Sequence, residues 1–362
     1  MERNEIIIDY SRDILAMTKA LMAEVDIESE LPNKNAKIIL KPNLVVATTP
    51  DSGATTHIEI ISGIIEFLQS KGYRNITIAE GSWVGDSTLR AFKVNNYMQF
   101  TKKYGVPLLD LKGDDYVTVN SHGVKMEISQ TAMECDYLIS LPVLKGHCQT
   151  AMTCALKNMK GILSDRSKRL FHSLGLHKPI AALNAVKCAD LVVVDSICGD
   201  LDFEEGGNPV EANRMIVAKD SVLLDTYAML MLGYSFDDVP YISLAEEYGV
   251  GYTDIKHARI RELHAPESVT GAQPTGQARQ LARFTDQRSA CSACYASLIH
   301  ALKRLDQEGM LGLVRGKKIC IGQEFQGHEM DIGVGKCCAG AKHGAKGCPP
   351  TASAIFNMLQ EL

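Results

Sequence analysis

The stretch AKIILKPNLVVATTPDSGATTHIEIISGIIEFLQSKGYRNITIAE, Ala36 to Glu80, decides the fold. Ala36–Val45 is apolar and β-branched, and reads as a strand running into a loop. Thr49–His57 is polar, with Pro50, Ser52 and Gly53. Ile58, Ile61, Ile64, Ile65 and Leu68 then recur at helical spacing over Ile58–Ser70, with Gly72 placed to stop the helix. Asn75–Ala79 is a second short strand, ending in the loop Glu80-Gly81-Ser82. Strand, helix, strand in this order predicts a βαβ unit and a parallel sheet.

A second stretch repeats the pattern. Tyr137–Leu141 is a strand stopped by Pro142, and Thr150–Met159 has helical character. Leu191–Asp195 (LVVVD) is continuously apolar, as in a strand covered on both faces. Met215–Ala218 is a further strand, and Val222–Leu232 a helix ended by Gly233. The expected fold is α/β: two units with mainly parallel sheets, 1–130 and 131–262, plus a small C-terminal cysteine-rich metal-binding segment, 288–362. Residues 263–287, rich in Pro, Gly, Gln and Thr, read as a linker.

The 362 residues are 46% apolar and 22% charged, the composition of a globular protein. With 38 basic against 43 acidic residues the net charge is −5, which argues against nucleic-acid binding. No apolar run is long enough for a membrane helix, and the first residues lack a signal-peptide core. The expectation is a cytoplasmic protein with no membrane association.

Eleven cysteines are unusual in such a chain and point to metal or catalysis. Cys291, Cys294, Cys320, Cys337, Cys338 and Cys348 crowd the C-terminal part. Cys291 and Cys294 form C-x2-C, and Cys348 sits in Gly-Cys-Pro-Pro. Gly lets the backbone approach cluster sulfides, and a following helix N-terminus favours an anionic thiolate cluster. A [4Fe–4S] cluster on Cys291, Cys294, Cys337 and Cys348 is the leading reading, with Cys338 the alternative to Cys337. Structural zinc is the alternative cofactor, although paired C-x2-C knuckles would suit it better. Cys320, in KKICIG, reads as a core residue. The Gly-Cys-Pro-Pro element resembles the cluster turn of the quinone-oxidoreductase and hydrogenase small-subunit group.

Between Ser140 and Asp190 eight basic residues face two acidic ones. LPVLKGH (Leu141–His147) ends a strand with Lys145 and His147, and ALKNMKG follows with Lys157, Asn158 and Lys160. Lys41 and Asn43, in KPN, occupy a similar strand end, where open α/β sheets bind ligands. The functional reading is a cleft for a small anionic substrate, a carboxylate or phosphate. Lys41, Asn43, Lys157, Asn158 and Lys160 would bind it, and Lys145 and His147 would act chemically. The bland reading is a solvated basic face with core histidines, and it is preferred for Arg166–Arg169. Cys148 and Cys154 read as buried thiols. The loop holding Asp200, Asp202, Glu204 and Glu205 reads equally as a solvated lid or a cation- or substrate-steering loop. Asp225 is either a hydrogen-bonded core carboxylate or a partner for a cleft lysine.

KPNLV (Lys41–Val45), TTHIEII (Thr55–Ile61), LPVLKGH with ALKNMKG, VVDSICG (Val193–Gly199) and DSVLLDTYA (Asp220–Ala228) together resemble the family catalogued as domain of unknown function 362. That resemblance implies an association with iron–sulfur centres, although the usual ferredoxin-like C-x2-C-x2-C-x3-C-P run is missing here. A more distant similarity of architecture is to the nickel-pincer lactate racemase group. The expected function is an iron–sulfur enzyme using redox or Lewis-acid chemistry, with a ferredoxin-like protein as a possible electron donor. The rivals are a non-catalytic electron-transfer or cluster-delivery protein and a zinc-stapled hydrolase or isomerase.

Overall fold

A computed structural model describes residues 1–207, 209–264 and 276–362. The main sheet has eight strands: β1 (Glu5–Tyr10), β2 (Ile38–Pro42), β3 (Ile76–Glu80), β4 (Leu108–Asp110), β5 (Tyr137–Leu141), β6 (Leu191–Asp200), β7 (Pro209–Ala218) and β8 (Arg259–Glu262). Their spatial order is β8-β1-β7-β6-β5-β2-β3-β4. β7 runs antiparallel to both β1 and β6, and the other neighbours are parallel. The protein is thus α/β with a large, mainly parallel sheet. Strands from 1–130 and from 131–262 interleave in it, so the two α/β stretches are joined by one sheet: β5, from the second, pairs with β2, from the first, with Lys41 opposite Ser140.

Alternating side chains give this sheet two cores. Ile6, Ile8, Ile39, Val192, Val194 and Ile216 point to one face, and Ile7, Ile38, Leu40, Leu191, Val193 and Met215 to the other. Helices α1 (Ile14–Ala23) and α2 (Ile58–Ser70) cover the second face. Helix α5 (Ser221–Met231) packs on the first. Every residue of β6 is buried, which is why its sequence is continuously apolar at the start.

Thr150–Met159 departs from the expected helix. Ala151–Thr153 instead forms a hairpin with Lys145–His147, and only Ala155–Asn158 (α3) makes a helical turn. Ala151 sits at a φ of 61°, a left-handed conformation that interrupts any helix there. Helix α4 (Asp165–Ser173) follows.

A second sheet, fully parallel, runs β9 (Thr285–Gln287), β10 (Ile319–Ile321), β11 (Glu329–Val334), β12 (Gly340–Ala345). Helices α6 (Ser292–Gln307) and α7 (Ala352–Gln360) share its core. The end of the expected linker is therefore structured, because β9 belongs to this sheet. Residues 265–275 of that linker lie outside the described residues. Phe203, in the loop after β6, inserts into the second core and stacks on His300 with ring centroids 4.3 Å apart.

Candidate functional site

At the carboxyl ends of β2 and β3 lies a cleft that opens to solvent. One part of its wall is apolar: Leu44, Val45, Trp83 and Val84. The rest carries Lys41, Lys157, Lys160, Lys168 and His172, with Glu80, Glu204 and Glu205.

Each lysine is placed differently. Lys41 ends β2 fully buried, and its Nζ donates to Glu80 Oε2 (2.8 Å) and to the Pro42 carbonyl (3.1 Å). Burial lowers its pKa against the pull of Glu80. Gly161 lies over this pair: a Cβ there would stand 2.0 Å from Glu80 Oε1 and 2.6 Å from Lys41 Nζ. Lys157 donates to Thr153 Oγ1 (3.0 Å) and pairs closely with Glu204. Lys168 donates to the carbonyls of Gly81 and Ser82, both at 3.0 Å, with Asp165 3.7 Å away. Burial brings its pKa down to about 8.

Lys160 is the exception. Its ammonium has no hydrogen-bond or ion-pair partner among the described residues. Burial, then the positive charge of Lys157, takes its pKa down to about 7. It lies within electrostatic reach of Cys291.

Lys145 does not line the cleft. Its Nζ donates to the Ala54 carbonyl (2.6 Å), the Glu204 carbonyl (2.9 Å) and Asn43 Oδ1 (3.3 Å). With all three donors used inside the protein, it pins loops together and does not meet a substrate. Burial lowers its pKa to about 8. His147 is also internal. Its Nδ1 accepts from the backbone N–H of Gln149 and of Thr150, both at 3.1 Å, so the proton sits on Nε2. Nε2 lies 3.0 Å from Glu204 Oε2, off the hydrogen-bond direction. Burial, with Lys157 nearby, lowers the His147 pKa to about 4. Lys145 thus holds the Glu204 backbone and His147 sits beside its carboxylate; neither lines the cleft where the sequence reading placed them as chemical groups. Asn43 lines the cleft while holding Lys145. Asn158 reaches Ser140 Oγ (2.9 Å) and ties α3 to β5.

The loop after β6, open between lid and steering loop in the sequence, turns inward. Burial disfavours ionised Glu204, but Lys157, His147 and Lys145 outweigh it and hold its pKa well below the carboxylate range. Glu205 goes the other way: burial and the neighbouring Glu204 charge push it up to about 8. Its Oε2 has no partner, so at neutral pH a protonated carboxyl faces the cleft. Two acids with pKa values driven apart mark sites of proton exchange. Sequence reasoning left Glu205 in a loop open between lid and substrate steering, and passed over Lys168, whose only signal was a basic helical run.

Asp225 resolves as a core carboxylate. It accepts from the N–H groups of Ala155 (2.8 Å) and Leu156 (3.1 Å) at the start of α3. Burial raises its pKa to about 7. Cys148 and Cys154 are inert by the same cause, burial raising both thiols far above their usual range.

In the tail, Cys291 caps α6 and Cys294 lies in its first turn. The ionisation of Cys294 is raised to about 12 by burial and by Cys291, Cys348, Cys337 and Cys338 around it. Cys291 is raised by burial, Cys337 and Cys348. Lys336 N–H donates to the Gly347 carbonyl (2.8 Å), tying the Cys337 loop to the Cys348 loop. A Cβ on Gly335 would stand 3.8 Å from Cys294 Sγ. Gln323 Nε2 donates to Cys291 Sγ (3.9 Å) and Gln326 Nε2 to Cys337 Sγ (3.5 Å). Cys338 instead points inward, its thiol donating to the Cys320 carbonyl (3.4 Å). Among the described residues, no three His, Cys, Asp or Glu side chains stand close enough to hold a single metal ion. No helix among them is long and apolar enough to cross a membrane.

Comparison with known proteins adds the following. The family described as Domain of unknown function (DUF362) matches residues 38–229, more than half the chain. The thylakoid-associated protein sll1697 of Synechocystis sp. is 24% identical over 252 residues, 66% of this chain and 76% of that protein. Among solved structures, the lactate racemase apoprotein from Thermoanaerobacterium thermosaccharolyticum aligns with a TM-score of 0.44 at 14% identity, covering 64% of this chain and 58% of that one. A protein from Thermotoga maritima aligns with a TM-score of 0.32 at 12% identity over half of each chain. Neither structural likeness carries an argument about chemistry.

Proposed function

This chain belongs to the DUF362 family, whose description names no reaction, and we propose from its cleft that it is an enzyme for a small carboxylate or phosphate. The carrying observation is Lys160. An ammonium in a half-buried cleft with no internal partner is a charge arranged for a ligand anion. Lys168 adds charge on the same wall. Glu205, protonated at neutral pH, gives a proton to the bound anion. Glu204 balances Lys157, leaving Lys160 as the charge the anion meets.

Four thiols, two side-chain amide donors aimed at sulfur and a helix N-terminus suit a [4Fe–4S] cluster held by Cys291, Cys294, Cys337 and Cys348. Such a cluster would supply electrons or a Lewis-acidic iron, and Cys291 lies within electrostatic reach of Lys160. Burial raises the Cys291 and Cys294 thiols, and a bound cationic centre would offset that by favouring their thiolates.

The test pairs metal analysis with anion titration. Protein purified without oxygen should hold about four irons and four sulfides per chain. Its single tryptophan, Trp83, lines the cleft, so acetate or phosphate binding should change its fluorescence. Lys160→Met should lose that response and keep the iron. Zinc, or no metal, removes the cluster from the proposal. A response unchanged in Lys160→Met removes the cleft.

A further inference from the structure

Beyond the cleft, a second constellation joins α2 to β6. His57 precedes α2, and its Nδ1–H donates to Asp195 Oδ2 (2.8 Å). The same oxygen accepts the His57 backbone N–H (2.8 Å), and Asp195 Oδ1 accepts the Ile197 N–H (3.1 Å). Asp195 is fully buried, so its carboxylate fixes the ring. Nε2, on the far side of that ring, faces Cys198 Sγ at 4.0 Å. Burial alone would strip the His57 proton, but Asp195 holds its pKa up to about 10. The Nε2–H is thus placed to protonate a group that leaves from beside the sulfur.

We propose that Cys198, with His57 and Asp195, is a reactive-thiol site that takes a hydroperoxide. The thiolate sulfur attacks one peroxide oxygen, forming S–O as O–O breaks. The departing oxygen takes the Nε2 proton of His57 and leaves as water, or as an alcohol from an organic peroxide. Sulfur is oxidised by two electrons to sulfenic acid, the peroxide is reduced, and His57 ends neutral. Cys198 and His57 are 7% and 8% exposed, so the oxidant must be small.

The site is wired to the cleft without belonging to it. The Cys198 thiol also donates to the Pro50 carbonyl (3.4 Å). From Pro50 the chain runs to Ser52, whose carbonyl accepts the Gly207 N–H (3.0 Å), and to Ala54, whose carbonyl holds Lys145. Oxidation of Cys198 removes the thiol proton that it donates to Pro50, on the segment that also supports the Glu204 loop.

The experiment treats the full chain with hydrogen peroxide and a sulfenic-acid-trapping dione, then maps adducts by mass spectrometry. Cys198 should be labelled at least about tenfold faster than the buried Cys135, Cys148 and Cys154. His57→Gln should slow labelling at Cys198 about tenfold or more while those three stay unchanged, as loss of a general acid requires. Labelling of Cys198 at the rate of the other buried thiols overturns the proposal even if the variant fails to fold. So does a rate unchanged in folded His57→Gln.

Discussion

Replacing Glu80 by Gln tests how the cleft carries its buried charge. The Lys41 and Glu80 side chains are only 1% and 4% exposed, with Nζ 2.8 Å from Oε2. Gln keeps the acceptor for the Gly81 N–H at Oε1 and removes only the charge. Breaking one partner of a buried pair costs about 3–5 kcal/mol. The cost has a ceiling, because Lys41 can shed its proton. Carrying an ordinary lysine to its neutral form at pH 7 takes about 3.5 pH units at about 1.4 kcal/mol each, roughly 5 kcal/mol. That route leaves a signature. A neutral Lys41 in the folded variant binds one proton fewer than the unfolded chain, so stability rises with pH up to the unfolded lysine range. The penalty should therefore shrink by about 2–3 kcal/mol between pH 7 and pH 9. Urea unfolding followed through Trp83 measures it. A penalty under about 1 kcal/mol at pH 7, or one equal at both pH values, refutes the buried-pair account. Glu80→Leu with Lys41→Met should recover most of the loss, since an apolar pair removes both charges together.

Three further outcomes follow from the same geometry. Anion affinity, read by Trp83 fluorescence, should fall as pH rises from 7 to 9, because Lys160 (about 7) and then Lys168 (about 8) lose their protons; a flat profile contradicts this. Gly161→Ala should cost about 1–3 kcal/mol or more in urea unfolding, since its Cβ would stand 2.0 Å from Glu80 Oε1. Asp225→Ala should cost about 2–4 kcal/mol by leaving two backbone N–H groups of α3 unpaired, and Asp225→Asn less than half of that; equal costs would show that the carboxyl does not cap the turn.

The sheet was legible where pattern and burial agree. Ile58–Ser70 forms a helix over those same residues, and Tyr137–Leu141 a strand, because their apolar spacing matches one covered face or two. Thr150–Met159 misled because Ala151–Thr153 pairs with its near neighbour Lys145–His147 in a short hairpin, and Ala151 takes a left-handed φ that helix-compatible composition does not announce. The cleft was legible as a set of lysines and illegible as a set of roles. Lys145 and Lys160 are both basic residues near a glycine in sequence, yet one spends three donors internally and the other none. The deciding partners, Ala54, Glu204 and Asn43, lie far along the chain. Glu204 and Glu205 look alike for the same reason. Only the fold sets one against Lys157 and leaves the other to burial and its neighbour's charge.

That difference makes Lys160 the residue whose removal should help the empty protein. Lys41 has Glu80, Lys157 has Glu204, and Lys145 and Lys168 have backbone carbonyls. Each of those substitutions leaves some group unpaired. Lys160→Met leaves none, and it removes a group whose pKa burial has dragged from 10.5 to about 7. After allowance for the solvent that reaches a half-buried side chain, the anion-free protein should gain about 1–3 kcal/mol in urea unfolding at pH 6. Phosphate or acetate should stabilise the wild type and leave Lys160→Met unmoved, because ligand stabilisation requires a site to bind. A loss of stability on Lys160→Met would mean that the ammonium is satisfied within the protein after all, and the cleft would then offer an anion no uncommitted charge.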